Sequence, residues 1–463
     1  MNPNFSMPAR ELASLVEDAR RRTRLLVDTL DDAQWQVPRL DVVNPPLWEV
    51  GHVGNFYETF ILRLLDPGRA PLIENGNALF NSFVIDHDDR WSAPLPDREG
   101  AWAYVDRVVD AALARLGNAA ADPWETYLYL LAVYHEDMHD EAFTYTRQTL
   151  GYPAPPLGGD APSGTMTSGL AGAGPLEGDV EIPGGEFLLG AAGDQPFAFD
   201  NEKWGHPVTV APFRMARAPV TQAEFARFVD QGGYGEQRCW DYEGWRWRTR
   251  AKAEHPVYWR KEGDTWQRRH YDAWAPLEPH RPVVHVNGYE AEAWCRWAGR
   301  RLPSEAEWEL AATAVPTTRV PTTRVPTTRA PTTRVPAANG QGLRQGKRRY
   351  PWGEAPPDAS LANLDGFRLG CADVAAYPAG DSAHGCRQMI GNVWEWTASA
   401  FYPFPGYLLD HPYKEYSAPW FGDRKVLKGG AWATRGRMIH NMYRNFFTPD
   451  RRDVFAGFRT CAL

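Results

Sequence analysis

Apolar residues recur every three or four positions through most of residues 8–150, the period of helices that bury one face. Four stretches carry the pattern. The first, residues 8–30, sets Leu12, Leu15, Val16, Ala19 and Leu26 on one side. The second opens at Asn44-Pro45-Pro46, a cap followed by proline in the first turn, and aligns Trp48, His52, Phe56 and Phe60 towards Leu64. The third covers about residues 98–116 and the fourth 124–150, with Gly151 as its terminator. Short joints predict an up-and-down four-helix bundle, in which the joint over 66–97 is long enough to cross over.

After residue 150 the period is lost. Gly, Pro, Ala, Ser and Thr dominate as far as about residue 180, which reads as a flexible linker. Strand-like runs at 186–190 and 207–211 follow, with many Gly/Pro turns and helical patterns at 221–229, 288–299 and 303–312. Four Pro-Thr-Thr-Arg copies lie in residues 315–336; they have nothing to bury and predict an extended, solvated insertion. The expected organisation is a helical domain over 1–155, a linker over 156–180 and an α+β domain over 181–463 interrupted at 315–346.

Composition narrows the function classes. The 58 acidic and 50 basic side chains leave a net charge of -8, which argues against a nucleic-acid partner. No apolar run approaches the roughly 18 residues of a spanning helix, and the N-terminus has no apolar leader core, so no membrane partner and a cytoplasmic location are expected. The 5 cysteines contain no CxxC pair, so neither a disulfide framework nor a zinc site is predicted. The 20 Trp beside 41 Gly and 39 Pro suggest a loop-rich domain pinned by aromatics, with Trp294, Trp308, Trp352, Trp394, Trp396 and Trp432 as core.

The candidate chemistry lies in His135-Glu136-Asp137-Met138-His139. Two imidazoles at i and i+4 share one helix face, here the row of Leu128, Leu131, Ala142 and Phe143, and that spacing suits one divalent metal. His52, on the apolar face of the second helix, is the natural third ligand. Three histidines that are each a satisfied core or surface residue form the alternative. The same pentad matches the zinc-protease pattern, yet Ala142 and Tyr145 occupy the positions of its downstream Gly and His. Three imidazoles without a carboxylate instead suit iron(II) with open positions for oxygen and a thiolate. Separately, Arg435, Arg437, Arg444, Arg451, Arg452 and Arg459 crowd into 25 residues and could form a carboxylate-binding patch, or a solvated face with scattered ion pairs.

A set of motifs then resembles a known family. Gly51-His52, His135-Glu136 with His139, Pro183-Gly184-Gly185-Glu186, Pro219-Val220-Thr221, Arg301-Leu302-Pro303-Ser304-Glu305, Tyr350-Pro351-Trp352-Gly353, Gly391-Asn392-Val393-Trp394-Glu395-Trp396 and Gly457-Phe458-Arg459 occur in the order seen in the sulfoxide synthases of ergothioneine biosynthesis and their ovothiol and selenoneine relatives. The resemblance implies a DinB-like four-helix bundle followed by a C-type-lectin-like domain of the formylglycine-generating-enzyme type. It implies Fe(II) on His52, His135 and His139, and oxygen-driven bond formation between a thiol or selenosugar donor and the imidazole C2 of hercynine. By the same resemblance, Met138, Asn445 and Phe446 border hercynine, Arg90 and Arg451 reach substrate, and Tyr402 or Tyr407 is the catalytic tyrosine. Phe447 stands where members using γ-glutamylcysteine carry a carboxylate, and the segments around His87-Asp88-Asp89-Arg90-Trp91 and Asn44-Pro45-Pro46 resemble the selenoneine branch more closely. Two other functions are weighed. A formylglycine-generating oxidase needs a cysteine pair near the C-terminal Gly-Gly turn, and no cysteine lies between Gly430 and Phe458. A metal-free carbohydrate- or protein-binding module of lectin-like fold would leave the three histidines without a role.

Overall fold

The computed structural model describes residue 2 and residues 4–117, 120–158, 173–313 and 347–463. The repeat insertion and most of the expected linker lie outside the described residues.

Four long helices form the N-terminal domain: α1 (Ala9–Val27), α2 (Pro46–Tyr57), α4 (Arg98–Leu116) and α5 (Pro123–Leu150). Within the long joint, α3 (Gly76–Phe80) adds a short helix, and α2 runs on into a π-helical turn, Glu58–Arg63. The ends follow from the sequence. Asp97 and Asp122 accept from Gly100 and Glu125 N–H at 2.8 Å each, and Gly151 closes α5 in the left-handed region. α2 packs on α4, and α1 on α5. Glycine makes one of these contacts possible: a Cβ on Gly51 would lie 2.1 Å from the Phe80 ring, so only glycine lets α3 approach α2 beside His52.

The second domain holds little regular structure. One four-stranded sheet orders Asp179–Ile182, Phe213–Ala216, Cys461–Ala462 and Arg300–Arg301, so the two ends of the domain share a sheet. A second orders Asn445–Phe447, Lys425–Lys428, Trp394–Ala400 and Ala456–Gly457, the last pair parallel. A hairpin of Gly185–Leu189 with His206–Val210 and a three-stranded meander over 259–276 complete the strands among the described residues. The expected helices are present as α6 (Gln222–Asp230), α8 (Gly288–Ala298) and α9 (Glu305–Thr313), the first two with full capping boxes. An unexpected α7 (Tyr242–Ala251) is arginine-rich and buries only Gly244 and Trp247, so it shows no apolar period.

Trp308, Trp394, Trp396 and Trp432 are fully buried, and Trp294 is buried. Trp352 departs from expectation: it is half-buried and stacks on Tyr350 with ring centroids 5.3 Å apart. Glu395 joins two of the motifs, accepting from Arg459 at 2.7 and 2.8 Å and from Trp308 Nε1 at 2.7 Å.

Both domains share one apolar core, and α5 is the seam. Glu141 accepts from Trp394 Nε1 at 2.7 Å and from Thr434 Oγ1 at 2.6 Å. Asp137 receives a bidentate pair from Arg437 at 2.6 and 2.8 Å. The helix carrying two of the histidines is thereby held from the second domain's side.

Candidate metal centre

His52 projects from α2, and His135 and His139 from α5, so that one nitrogen of each lies within 4.8 Å of the others. Ring centroids are 4.6–5.0 Å apart. This is the one such three-ligand group among the described residues, and it matches the trio expected from spacing.

Each ring is oriented by something outside the trio. Nδ1–H of His52 donates to the Phe80 carbonyl at 2.6 Å, and Trp48 stacks on the ring at 4.8 Å. Nδ1–H of His139 donates to the Glu49 carboxylate at 2.6 Å. Because a carbonyl and a carboxylate only accept, both imidazoles carry their hydrogen on Nδ1 and turn Nε2 to the centre. His135 stacks on Phe56 with centroids 3.7 Å apart, and its Nδ1 is buried without a hydrogen-bond partner. Burial, reinforced by the neighbouring imidazoles, holds His52 and His135 well below the ordinary histidine pKa. Both are therefore neutral, as metal ligation would require. The orphaned nitrogen, the neutral imidazoles and the absence of a carboxylate from the trio fit a divalent ion that keeps open positions.

The acids between the histidines are structural. Glu136 accepts from Tyr57 at 2.9 Å and Thr23 at 2.6 Å, fixing α5 to α2 and α1. A cavity of about 180 Å³ opens beside His52. Phe56, Phe60 and Tyr413 form its apolar wall, Asn55, Asn81 and Ser82 its polar one, and Glu415 is its single charged side chain; no lysine or arginine lines it.

The other candidate residues divide. Met138 faces the site's second-domain wall, where its sulfur accepts from Tyr443 at 3.6 Å and Tyr416 at 3.8 Å. Phe446 packs on Phe401 at 4.2 Å and edge-on to Tyr416 at 5.9 Å, next to Asn445 on the same strand. Phe447 lies beside Arg451, whose charge is 5.1 Å from its ring. Arg451 is itself paired with Asp453 at 2.5–2.6 Å. Arg90 stacks over Trp48 at 3.9 Å and donates to Asn44 at 2.6 Å, one ring removed from His52.

Neither expected tyrosine contacts the histidines. Tyr402 is 57% exposed, and Tyr407 donates to Asp200 at 2.6 Å. The tyrosine against the trio is Tyr413, 6.1 Å from His135 and 5.0 Å from Phe56. Nothing in the residue pattern distinguished it from its neighbours, because the loop that brings it there has no period. Nor do the six C-terminal arginines form a patch: Arg435 and Arg437 pair with Asp18 and Asp137, Arg444 with Glu305, Arg451 with Asp453, Arg452 with Glu290 and Arg459 with Glu395.

Comparison with known proteins agrees with this architecture. Residues 15–143 match the DinB superfamily, and residues 168–462 match the Sulfatase-modifying factor enzyme 1-like domain. The chain is 38% identical to the hercynine oxygenase of Mycolicibacterium thermoresistibile, covering 97% of this chain and 94% of that protein. It is 37% identical to the hercynine oxygenase of Mycobacterium tuberculosis, over 97% and 98%. A formylglycine-generating enzyme of Streptomyces coelicolor is 31% identical over 62% of this chain and 88% of its own length.

Proposed function

This chain belongs to the hercynine oxygenase family, and from that premise we propose that it joins a chalcogen donor to the imidazole C2 of hercynine using Fe(II) and oxygen. The observation carrying the proposal is the trio His52, His135 and His139, grouped and oriented beside an accessible cavity. These three residues would hold the iron, which when bound supplies activation of oxygen. The overall reaction balances as donor R–XH, imidazole C2–H and O₂ giving R–X(O)–C2 and water, where X is sulfur or selenium. The two hydrogens end in the water, so the protein must move protons at the site.

The chain's own residues do the remaining work. Met138, Asn445 and Phe446 are assigned to the hercynine side, where a quaternary ammonium suits aromatic surroundings. For the donor we favour a neutral, hydroxyl-rich molecule, a selenosugar, over an acidic thiol peptide. The cavity offers amide, hydroxyl and ring surfaces but no lysine or arginine, Phe447 supplies no carboxylate for an amine, and Arg451 is already paired with Asp453. Arg90 is assigned to tuning His52 through Trp48 as well as to substrate. Tyr402 and Tyr407 yield the place beside the histidines to Tyr413.

The test is anaerobic loading with iron and hercynine, addition of γ-glutamylcysteine, cysteine or a selenosugar in separate vessels, then oxygen and mass analysis. The expected result is C2-modified hercynine with the selenosugar as the best donor. Absence of product with every donor overturns the reading, and preference for γ-glutamylcysteine overturns the donor assignment.

A further inference from the structure

A buried polar group lies on the second-domain side of Met138, away from the cavity. The turn Asp200–Glu202 is fixed by Asp200, which accepts from Ser417 and Tyr407 at 2.6 Å each. Phe199, just before it, stacks on Tyr416 at 4.4 Å and meets Tyr443 edge-on at 5.7 Å, so the turn lies directly beneath both tyrosines. Asn201 and Glu202 are wholly inaccessible and His440 is 3% exposed. Neither carboxylate oxygen of Glu202, neither amide atom of Asn201, nor Nδ1 of His440 has a hydrogen-bond partner, and His440 Nε2 lies 3.5 Å from Glu202 Oε2. Buried polar atoms are rarely left so, and five on three adjacent side chains are placed to order water between them. Above them, the Tyr416 and Tyr443 hydroxyls are 3.4 Å apart, and either can donate. Both reach the sulfur of Met138, the residue before His139.

We infer that Glu202, with His440, supplies protons through water to the paired hydroxyls of Tyr443 and Tyr416, which deliver them to the reacting molecules on the Met138 side of the histidine centre. The inference rests on the oxygen-dependent reading, since that reaction carries hydrogens from donor and imidazole into water. The transfers balance: Glu202 gives one proton to the bridging water, each tyrosine takes one and gives one, that proton and the donor's X–H proton end in the product water, and the proton leaving imidazole C2 restores the carboxyl. No electron passes along the line. The charged groups facing Glu202 are Lys428, Lys203, Arg349 and Lys347, with His440 alongside. Burial outweighs these cations and pushes the carboxyl up to about 8, so it holds a proton at neutral pH. Burial and the same basic cluster keep His440 neutral.

Glu202→Gln, which keeps the shape and removes the titration, tests the inference in the full iron-loaded chain. Expected are iron content and hercynine affinity within about twofold of wild type, kcat lowered by about tenfold or more, and loss of the fall in kcat above about pH 8. Tyr443→Phe should lower kcat alike while the carboxyl still titrates. Infrared titration of metal-free protein gives a readout independent of turnover: a protonated-carboxyl band should fade near pH 8 and be missing in Glu202→Gln. Retention of the alkaline limb and of kcat in Glu202→Gln overturns the inference, as does a metal-free titration without that band. Wild-type protein that makes no product overturns the functional reading and leaves the infrared result to judge the carboxyl.

Discussion

Replacing Glu49 with alanine probes the centre where α2 meets α5. The carboxylate is 1% exposed and accepts His139 Nδ1–H at 2.6 Å. Without it the ring keeps a buried N–H with no acceptor and loses the contact that aims Nε2 inward. A hydrogen bond to a charged acceptor contributes about 1.5–3 kcal/mol. At about 1.4 kcal/mol per decade, that corresponds to roughly ten- to hundredfold in metal affinity, the range typical when a ligand's outer partner is removed. The assay is anaerobic competition for Fe(II) with a chromophoric chelator, alongside far-ultraviolet circular dichroism to confirm the helices. Glu49→Gln retains an accepting oxygen and should lose less than about tenfold. Affinity equal to wild type in a folded Glu49→Ala protein would refute the reasoning, because His139 would then be oriented without its carboxylate.

Other outcomes follow from the same geometry. His135→Ala should abolish iron binding while leaving the helices intact, read by metal analysis and circular dichroism. Gly51→Ala should push Phe80 away and release the His52 contact, costing about 1–3 kcal/mol in urea unfolding together with metal affinity, whereas Gly→Ala in an uncrowded helix would stabilise. Arg459→Met leaves the Glu395 carboxylate buried and unpaired, so a loss of about 3–5 kcal/mol is expected, measured by denaturant unfolding. Glu202 has a folded pKa of about 8 against 4.5 unfolded, so the native state binds the extra proton between these values. Stability should therefore fall as pH rises through that window, by up to roughly 1.4 kcal/mol per unit, and Glu202→Gln should flatten the decline in urea titrations at several pH values.

Much of the fold was legible along the chain. Helix α4 begins and ends where the apolar period does, and the i, i+4 spacing of His135 and His139 sets both on one face whatever surrounds them. These are local consequences of backbone geometry. Helix α7 was not legible, since a helix that buries one tryptophan and one glycine needs no apolar stripe. The arginines illustrate a second limit: Arg437 lies 300 residues from Asp137, and a run of basic residues shows charge but not the buried acids that neutralise it.

By itself the sequence determined which residues are candidate ligands, because helical period places His52, His135 and His139 on interior faces. Tertiary structure alone decided how they are used. The Phe80 carbonyl and Glu49 choose which nitrogen His52 and His139 present, Tyr413 rather than Tyr402 or Tyr407 lies against the histidines, and the Asp200–Glu202 turn is brought under Tyr416 and Tyr443. The difference is physical. Period is a property of neighbours three and four residues apart, whereas hydrogen-bond partners, burial and the resulting proton affinities are set by packing between segments up to hundreds of residues distant.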